Sequence, residues 1–490
     1  MKNQENTPPV EEQKLVFPFQ LADSDSQEII STALARGGWL AEIFLEYTQF
    51  HHLLMEDDII KETDESIRLG AGLRVLEEEK SGFAYTNDLG KETLLKAARA
   101  AAMIASSAST PTNSPPFPIP GSLSFERKIP PHALYPHQDP LPSSLEAKIK
   151  LVQETYQTAF KVHPHIKKVR VSLVETLQQV TIINSEGLIV SDQRPMIKLV
   201  CLAIAEKGAR REVGLAGDGG RIDLVHLNRH NLGQRIGQEA ATEALQLLEA
   251  RPAPAGEMPV VLAPGQGGVL LHEAVGHLLE ADFIRKKTSI FWNKLNQLVA
   301  NPQVTIVDDP TIPHFRGSYN IDDEGTIPQK THLIHQGQVV GFLQDRLSAR
   351  VLKQNSTGHG RRQDYSCLPL PRMSNTYLDR GEYLPEEILK SIKKGLYACH
   401  FQGGQVEDSG KFTFSLSSGY LIEDGHLTAP VKQVTLIGSN LKVLRDIEMV
   451  GNDLLFSDQV GSCGKEGQTI PVTDGCPTVK IKNLTVGGML

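Results

Sequence analysis

The stretch "HEAVGH", His272 to His277, sets two imidazoles around a carboxylate in a way that invites metal chemistry. A zinc-peptidase helix of the HExxH kind places its histidines at i and i+4, with the Glu after the first histidine acting as general base. Here the second histidine comes one residue late. At about 100° per residue an undistorted α-helix would point the two side chains roughly 140° apart. Two devices would bring them together: a π-bulge, which takes up one extra residue, or a departure from helical geometry at Gly276. The surrounding residues Val269, Leu270, Leu271, Val275, Leu278 and Leu279 predict a helix buried on more than one side. The bland reading makes His272 and His277 core histidines bonded to backbone, with Glu273 paired to a basic residue. Against it stands the cost of burying three ionisable groups so close together.

A hydrolytic zinc takes three protein ligands and leaves a position for water. Local sequence offers Glu280, Asp282 or a thiolate as the third. Among the cysteines Cys463 stands out, because "GSCGKEG" is glycine-rich and sets Lys465 nearby, where a positive charge would favour thiolate. Donors for a developing oxyanion would be sought at His400, Arg316 or Tyr319.

The elements that must position these groups fall into two halves. "DSDSQEIISTALARGG" reads as a capped helix, "WLAEIFLEY" and "SIRLGAGLRVL" as strands, and "SSLEAKIKLVQETYQTAFKV" as an amphipathic helix followed by three strand candidates. A second helix is expected at about Leu232 to Glu249. The Pro-rich "RPAPAGEMP" after it places a boundary near residue 255. From there "PVVLAPG", "VTIVDDP", "FTFSLSSGYLI" and "TVKIKNLTVGG" predict a β-rich half in which the HEAVGH helix follows a strand and a glycine-rich turn. The expected fold class is α+β: an N-terminal α/β domain, residues 1–255, and a C-terminal β-rich domain, antiparallel and barrel-like, residues 256–490. Residues 111–142 hold ten of the 29 prolines and read as an exposed connection. The Gly70-x-Gly72 pair is a weak phosphate-cradle signal, since no third glycine or helix start follows. Asp308-Asp309 and Asp322-Asp323 read as turn residues. Arg361, Arg362 and Arg372 are candidates for holding a peptide carboxylate or a partner subunit.

Composition narrows the function. The chain has 490 residues, 40% of them hydrophobic, and a formal net charge of −8. An acidic chain argues against nucleic acid as partner, because phosphate affinity comes from concentrated Lys and Arg. The N-terminus shows no apolar signal region and no stretch is apolar enough to span a bilayer, so no membrane role and a cytoplasmic location are expected. Five scattered cysteines without CxxC spacing read as thiols, with Cys367 and Cys476 unreactive.

Taken together, "GGVLLHEAVGHLLEADFIRKKTS", "GHGRRQDYSCLPLPRMSNTYL" and "GSCGKEGQTIPVTDGCPTVKI", with weaker similarity through "GAGLRVLEEEKSGFAYTNDL", make the chain resemble the TldD branch of the TldD/PmbA (TldE) metalloprotease family. The resemblance covers nearly the whole chain. It implies His272, His277 and Cys463 as ligands of Zn2+, Glu273 as catalytic base, and a two-domain fold. It also implies a dimer, formed with a PmbA/TldE-type subunit or with a second copy, enclosing a cavity where unfolded or small peptides are cut. The rival expectation is a metal-stabilised, non-catalytic binding or regulatory subunit, for which a fourth ligand such as Asp282 would speak. A gyrase-directed role rests only on an older label of the family.

Overall fold

The strand Leu40–Glu56 organises the N-terminal half, because its alternate residues serve two different neighbours. Ala41, Ile43 and Leu45 pack with Ile29, Leu94 and Ala98 of two helices, Asp23–Leu34 and Lys91–Ser107. Glu42, Phe44 and Glu46 point the other way: Phe44 meets Val180, Ile182 and Ile321, and the two glutamates bond to Arg362 and to the backbone of Tyr365. The structure is a computed structural model and describes residues 21–107, 123–136, 143–407 and 409–488.

The sheet built on this strand runs, by position, Lys80–Thr86, Ile59–Glu77, Leu40–Glu56, Ile166–Asn184 and Leu188–Lys207, all antiparallel. Arg210–Gly220 pairs antiparallel with Leu188–Lys207, and the short Glu126–Lys128 pairs parallel with it. A second helix pair, Leu145–Lys161 and Leu232–Glu249, buries Leu151, Val152, Ile236 and Ala240 against Val169, Val171, Leu199 and Cys201. Ser144 caps the first of these by accepting the Ala147 N–H at 3.2 Å. Helices therefore cover one face of the sheet, and residues from the second half of the chain cover the other.

The second half is mixed but β-rich, as its turn spacing predicts. Five strands close on themselves: Gly256–Leu262, Lys394–Val406, Lys411–Glu423, Val434–Ser439 and Val479–Gly487. Closure leaves no free edge within the ring. Arg251–Pro252 and His426–Lys432 extend this sheet. A second sheet contains Thr331–His335, Ile306–Asp308, Asn375–Leu378 and Thr473–Cys476. The segment 268–279 lies between the two sheets, with Leu270, Leu271, Ala274 and Val275 in the same core as Val260, Leu333 and Leu396.

Two expectations are corrected. Residues 111–142 are not uniformly an exposed connection; 111–122 and 137–142 lie outside the described residues, but Tyr135 is buried and donates its hydroxyl to Asp192 at 2.5 Å. Gly70 and Gly72 do not form an open cradle, because a Cβ there would meet the Tyr365 ring at 2.2 Å and the Tyr365 carbonyl oxygen at 2.5 Å. These glycines admit the loop that follows Arg362. Among the described residues no helix is long and apolar enough to cross a membrane.

Candidate metal centre

The late histidine is accommodated by a change of helix type. Gly268–Leu271 is α-helical, His272–Gly276 is a π-turn, and His277–Leu279 closes as a 3₁₀ turn. The His277 N–H donates to the His272 carbonyl, the i to i+5 bond that defines a π-turn and lays the two side chains on one side. The rings stand 5.2 Å apart at 85°. Gly276 is not where the backbone escapes, since it keeps helical angles of φ −54° and ψ −55°. Its function is room: a Cβ would meet the Met373 sulfur at 2.0 Å.

Cys463 arrives from far along the chain, on a hairpin rather than a loose loop. Ser462–Lys465 pairs with Gln468–Pro471, setting Cys463 opposite Ile470. The two-residue turn between them, Glu466 and Gly467, takes positive φ at both positions, as tight hairpins require. The thiol is buried, and its Sγ lies 3.2 Å from His277 Nε2. One donor atom from each of His272, His277 and Cys463 falls within 4.8 Å of the others.

The outer nitrogens of both imidazoles are held by carboxylates. His272 Nδ1 lies 2.6 Å from Asp474 Oδ1, and His277 Nδ1 lies 3.1 Å from Glu280 Oε2. Each ring is thereby fixed with Nε2 turned inward, the backing that metal-bound histidines almost always have. Two imidazoles and one thiol form a donor set suited to zinc. Burial alone would raise the Cys463 thiol, but the facing imidazoles of His272 and His277 hold it well below the ordinary thiol range. Burial would likewise lower His277, yet Glu280 and Cys463 push it up to about 10. Three groups that trade protons so strongly at one point fit a bound cation, which replaces those protons.

Several sequence expectations change here. Glu280 is not a third donor; it backs His277 and accepts from Lys465 Nζ at 2.9 Å. Asp282 accepts from the same ammonium at 2.7 Å and is therefore engaged away from the donor cluster. Lys465, committed to both carboxylates, is not the cation beside the thiol. That position belongs to Arg372, fully buried, which donates from Nη2 to Cys463 Sγ at 3.3 Å and to its carbonyl at 2.7 Å. Glu273 is partly exposed, with Oε2 3.8 Å from His277 Nε2.

The three oxyanion candidates are all engaged elsewhere. Tyr319 donates its hydroxyl to the Gly358 carbonyl at 2.8 Å, Arg316 donates to Gly461, and His400 lies 2.8 Å from Glu243. Asp308 is more than a turn residue: it is buried among His359, Ser374 and Thr376. Asp322 does accept turn amides, from Glu324 and Thr326, whereas Asp323 pairs with Arg194. Arg361 and Arg362 are buried with Arg372, and Cys476 is buried with its thiol pushed up by desolvation. Asp474 went unnoticed in the sequence, because nothing in "VTDGC" marks it as facing a histidine 202 residues away.

Comparison with known proteins places this arrangement. Residues 41–105, 138–248 and 255–488 match domain 1, the central domain and the C-terminal domain of the PmbA/TldA metallopeptidases. A metalloprotease TldD homolog of Haemophilus influenzae is 40% identical over 97% of this chain and 98% of its own. The chain belongs to the PmbA/TldD family of metallopeptidases. A TldD homolog from Buchnera aphidicola is 41% identical over 89% of this chain and 90% of its own. A zinc metalloprotease TldD homolog from Saccharolobus solfataricus is 30% identical over 70% and 76%. The fold is also that of a solved structure from Thermotoga maritima, with TM-score 0.74 and 23% identity over 95% of this chain and all of that one. TldE from Thermococcus kodakarensis matches with TM-score 0.72 and 18% identity, again over 95% and 100%.

Proposed function

We propose that the chain is a zinc-dependent peptidase in which His272, His277 and Cys463 hold the metal and Glu273 is the general base. The observation that carries this reading is that a ring nitrogen from each histidine and the Cys463 thiol lie within 4.8 Å of one another, each imidazole backed by a carboxylate. Zinc held there would polarise the scissile carbonyl and make a water acidic enough to attack near neutral pH. Glu273 accepts the proton of the attacking water and delivers it to the leaving amine. Its partial exposure leaves it in reach of a substrate, while its neighbours His272 and Cys463 are buried. Asp474 and Glu280 keep the imidazoles oriented; Arg372 fixes the backbone and sulfur of Cys463.

The substrates are unfolded or small peptides, cut in a cavity enclosed by a dimer with a PmbA/TldE-type subunit or with a second copy, in the cytoplasm. Similarity to TldD homologs and to the TldE fold supports this assembly. The test is elemental analysis of the purified chain and of His272→Ala, His277→Ala and Cys463→Ala, with peptide hydrolysis measured alone and with a co-expressed PmbA-type subunit. About one zinc per chain, lost with activity in all three variants, is the expected outcome. Zinc that survives removal of His277 would overturn the ligand set.

A further inference from the structure

Between the N-terminal sheet and the second half of the chain lies a cavity of about 200 Å³ whose polar lining is dominated by arginine. On one side it is bounded by Glu46, Gln178 and Arg194 of the sheet, on the other by Arg316, Arg361 and Arg362. Pockets at the junction of two structural units are common ligand sites. Three of its guanidinium groups are matched: Arg194 pairs with Asp192 and Asp323, Arg362 with Glu42, and Arg68 with Asp364.

Arg221, Arg316 and Arg361 are different. Their guanidinium groups donate to main-chain carbonyls, Ser318 for Arg221 at 3.0 Å, Gly461 for Arg316 at 2.7 Å, and Met373 and Pro471 for Arg361 at 2.5 and 2.8 Å, while Arg221 and Arg361 also lie over the rings of Tyr135 and Tyr319. Among the described residues no carboxylate stands within ion-pair distance of these three groups. Burial, together with the charges of Arg194 and Arg361, lowers Arg221 to about 10 against the pull of Tyr135 and Asp192, and burial with the charge of Arg361 lowers Arg316 to about 10. Lys198 is pushed down as well, by burial and then by Arg316. A guanidinium keeps its proton at any working pH, so the unfavourable field remains until an anion relieves it. Of the acids that line the cavity, Asp322 and Glu46 have their carboxyls raised by burial, and Asp323, though held low, is committed to Arg194 and to the backbone N–H of Arg362.

The cavity and the candidate metal centre share one hairpin. Arg316 holds the carbonyl of Gly461, two residues before Cys463, and Arg361 holds Pro471, which pairs with Ser462 next to Cys463. Arg361 also holds Met373, the residue packed against Gly276 of the π-turn. We propose that this cavity is a subsite for a carboxylate of the peptide substrate, gripped by the guanidinium forks of Arg221, Arg316 and Arg361. The inference rests on the peptidase reading above and assigns it a substrate anchor. Planar forks match a carboxylate in two-point hydrogen bonding. Either the C-terminal carboxylate or an acidic side chain supplies that chemistry.

The test is equilibrium binding by fluorescence anisotropy to the full-length chain carrying Glu273→Gln, which prevents turnover. Three labelled peptides of one unstructured sequence serve as probes: C-terminal acid, C-terminal amide, and C-terminal amide with one internal Glu. The expected result is that a charged peptide binds roughly tenfold or more tightly than the plain amide. Whichever charged form wins identifies the source of the carboxylate. Adding Arg221→Gln and Arg316→Gln should shrink the advantage to within about twofold, with thermal melts confirming folding. Equal binding of all three peptides to the parent chain overturns the inference without need of the arginine variants. So does an advantage that survives in folded arginine variants, and so does saturable binding of inorganic phosphate with no preference among the peptides. Failure of the peptidase reading looks different: no zinc and no hydrolysis, with the carboxylate preference intact.

Discussion

Two buried clusters of ionisable side chains lie in this molecule, and they are built on opposite plans. Where the N-terminal sheet meets the second half, Glu42, Asp192, Asp323 and Glu324 interlock with Arg74, Arg194 and Arg362. Carboxylates there meet guanidinium groups directly, as at the 2.7 Å Arg74–Glu42 contact. Around the π-turn the carboxylates stand behind the imidazoles instead, and the rings of His272 and His277 face the thiol of Cys463. Matched charges hold two units in register, whereas converging donors suit a ligand. Removal of one partner should therefore unfold the first cluster and merely disable the second.

The largest effect expected on that contrast is catalytic. Glu273→Gln should lower kcat by about 10²–10⁴-fold with zinc content and melting temperature unchanged, measured by peptide hydrolysis beside elemental analysis. Activity near the parental level would remove Glu273 from the reaction. On the structural side, Arg362→Ala strips one carboxylate oxygen of the buried Glu42 of its guanidinium, leaving Arg74 alone to match it, and removes the donor to the Asp323 carbonyl. A loss of about 3–5 kcal/mol is expected, read as a lowered denaturant midpoint. If Arg362→Ala unfolds no more readily than the parent, the two clusters do not differ in the way described. A smaller effect should follow Asp474→Asn, which keeps the shape but weakens the grip on His272 Nδ1. Zinc affinity should fall about 10–100-fold in a chelator competition, with the fold intact. An unchanged affinity would show that the aspartate is not what orients the ring.

Local chemistry was legible in the sequence, and spatial partnership was not. The periodicity of Leu232–Glu249 and the strand-turn-helix order before His272 are written in contiguous residues, so they could be read directly. A count of five residues and the requirement that two imidazoles meet called for a π-bulge or a break at Gly276, and the structure takes the first. By contrast, Glu280 and Asp282 looked like ligands because they follow the motif closely, and only the return of Lys465 from 183 residues away engages them otherwise. Arg74 finds Glu324 across 250 positions, a separation at which no periodicity carries information. Tyr135 lay hidden in a proline-rich run because composition reports the average of a segment, and one aromatic ring with a buried acceptor can pin it locally.

The smallest effect distinguishes a third kind of charge, partly buried and without an ion-pair partner among the described residues. Asp458 follows Ser457, whose N–H donates to the Asp474 carbonyl and whose hydroxyl accepts from the Asp474 N–H, so it borders the donor cluster without touching it. Its carboxyl is pushed up to about 6 by burial and then by Asp218 and Glu239, against the pull of Arg235 and His400. A carboxyl whose folded pKa lies above its unfolded value binds its proton more tightly in the folded chain. Between about pH 4 and pH 6 the folded state thus holds more protons than the unfolded one, and this group's contribution to stability falls as pH rises. Above pH 6 the penalty is complete. Asp458→Asn removes it, so the variant should gain on the parent as pH rises from 4.5 to 7.5, by on the order of 1–2 kcal/mol. The measurement is the difference in melting temperature between the two proteins at both pH values. A difference that does not change with pH would mean that Asp458 is already matched like the carboxylates between the two halves of the chain.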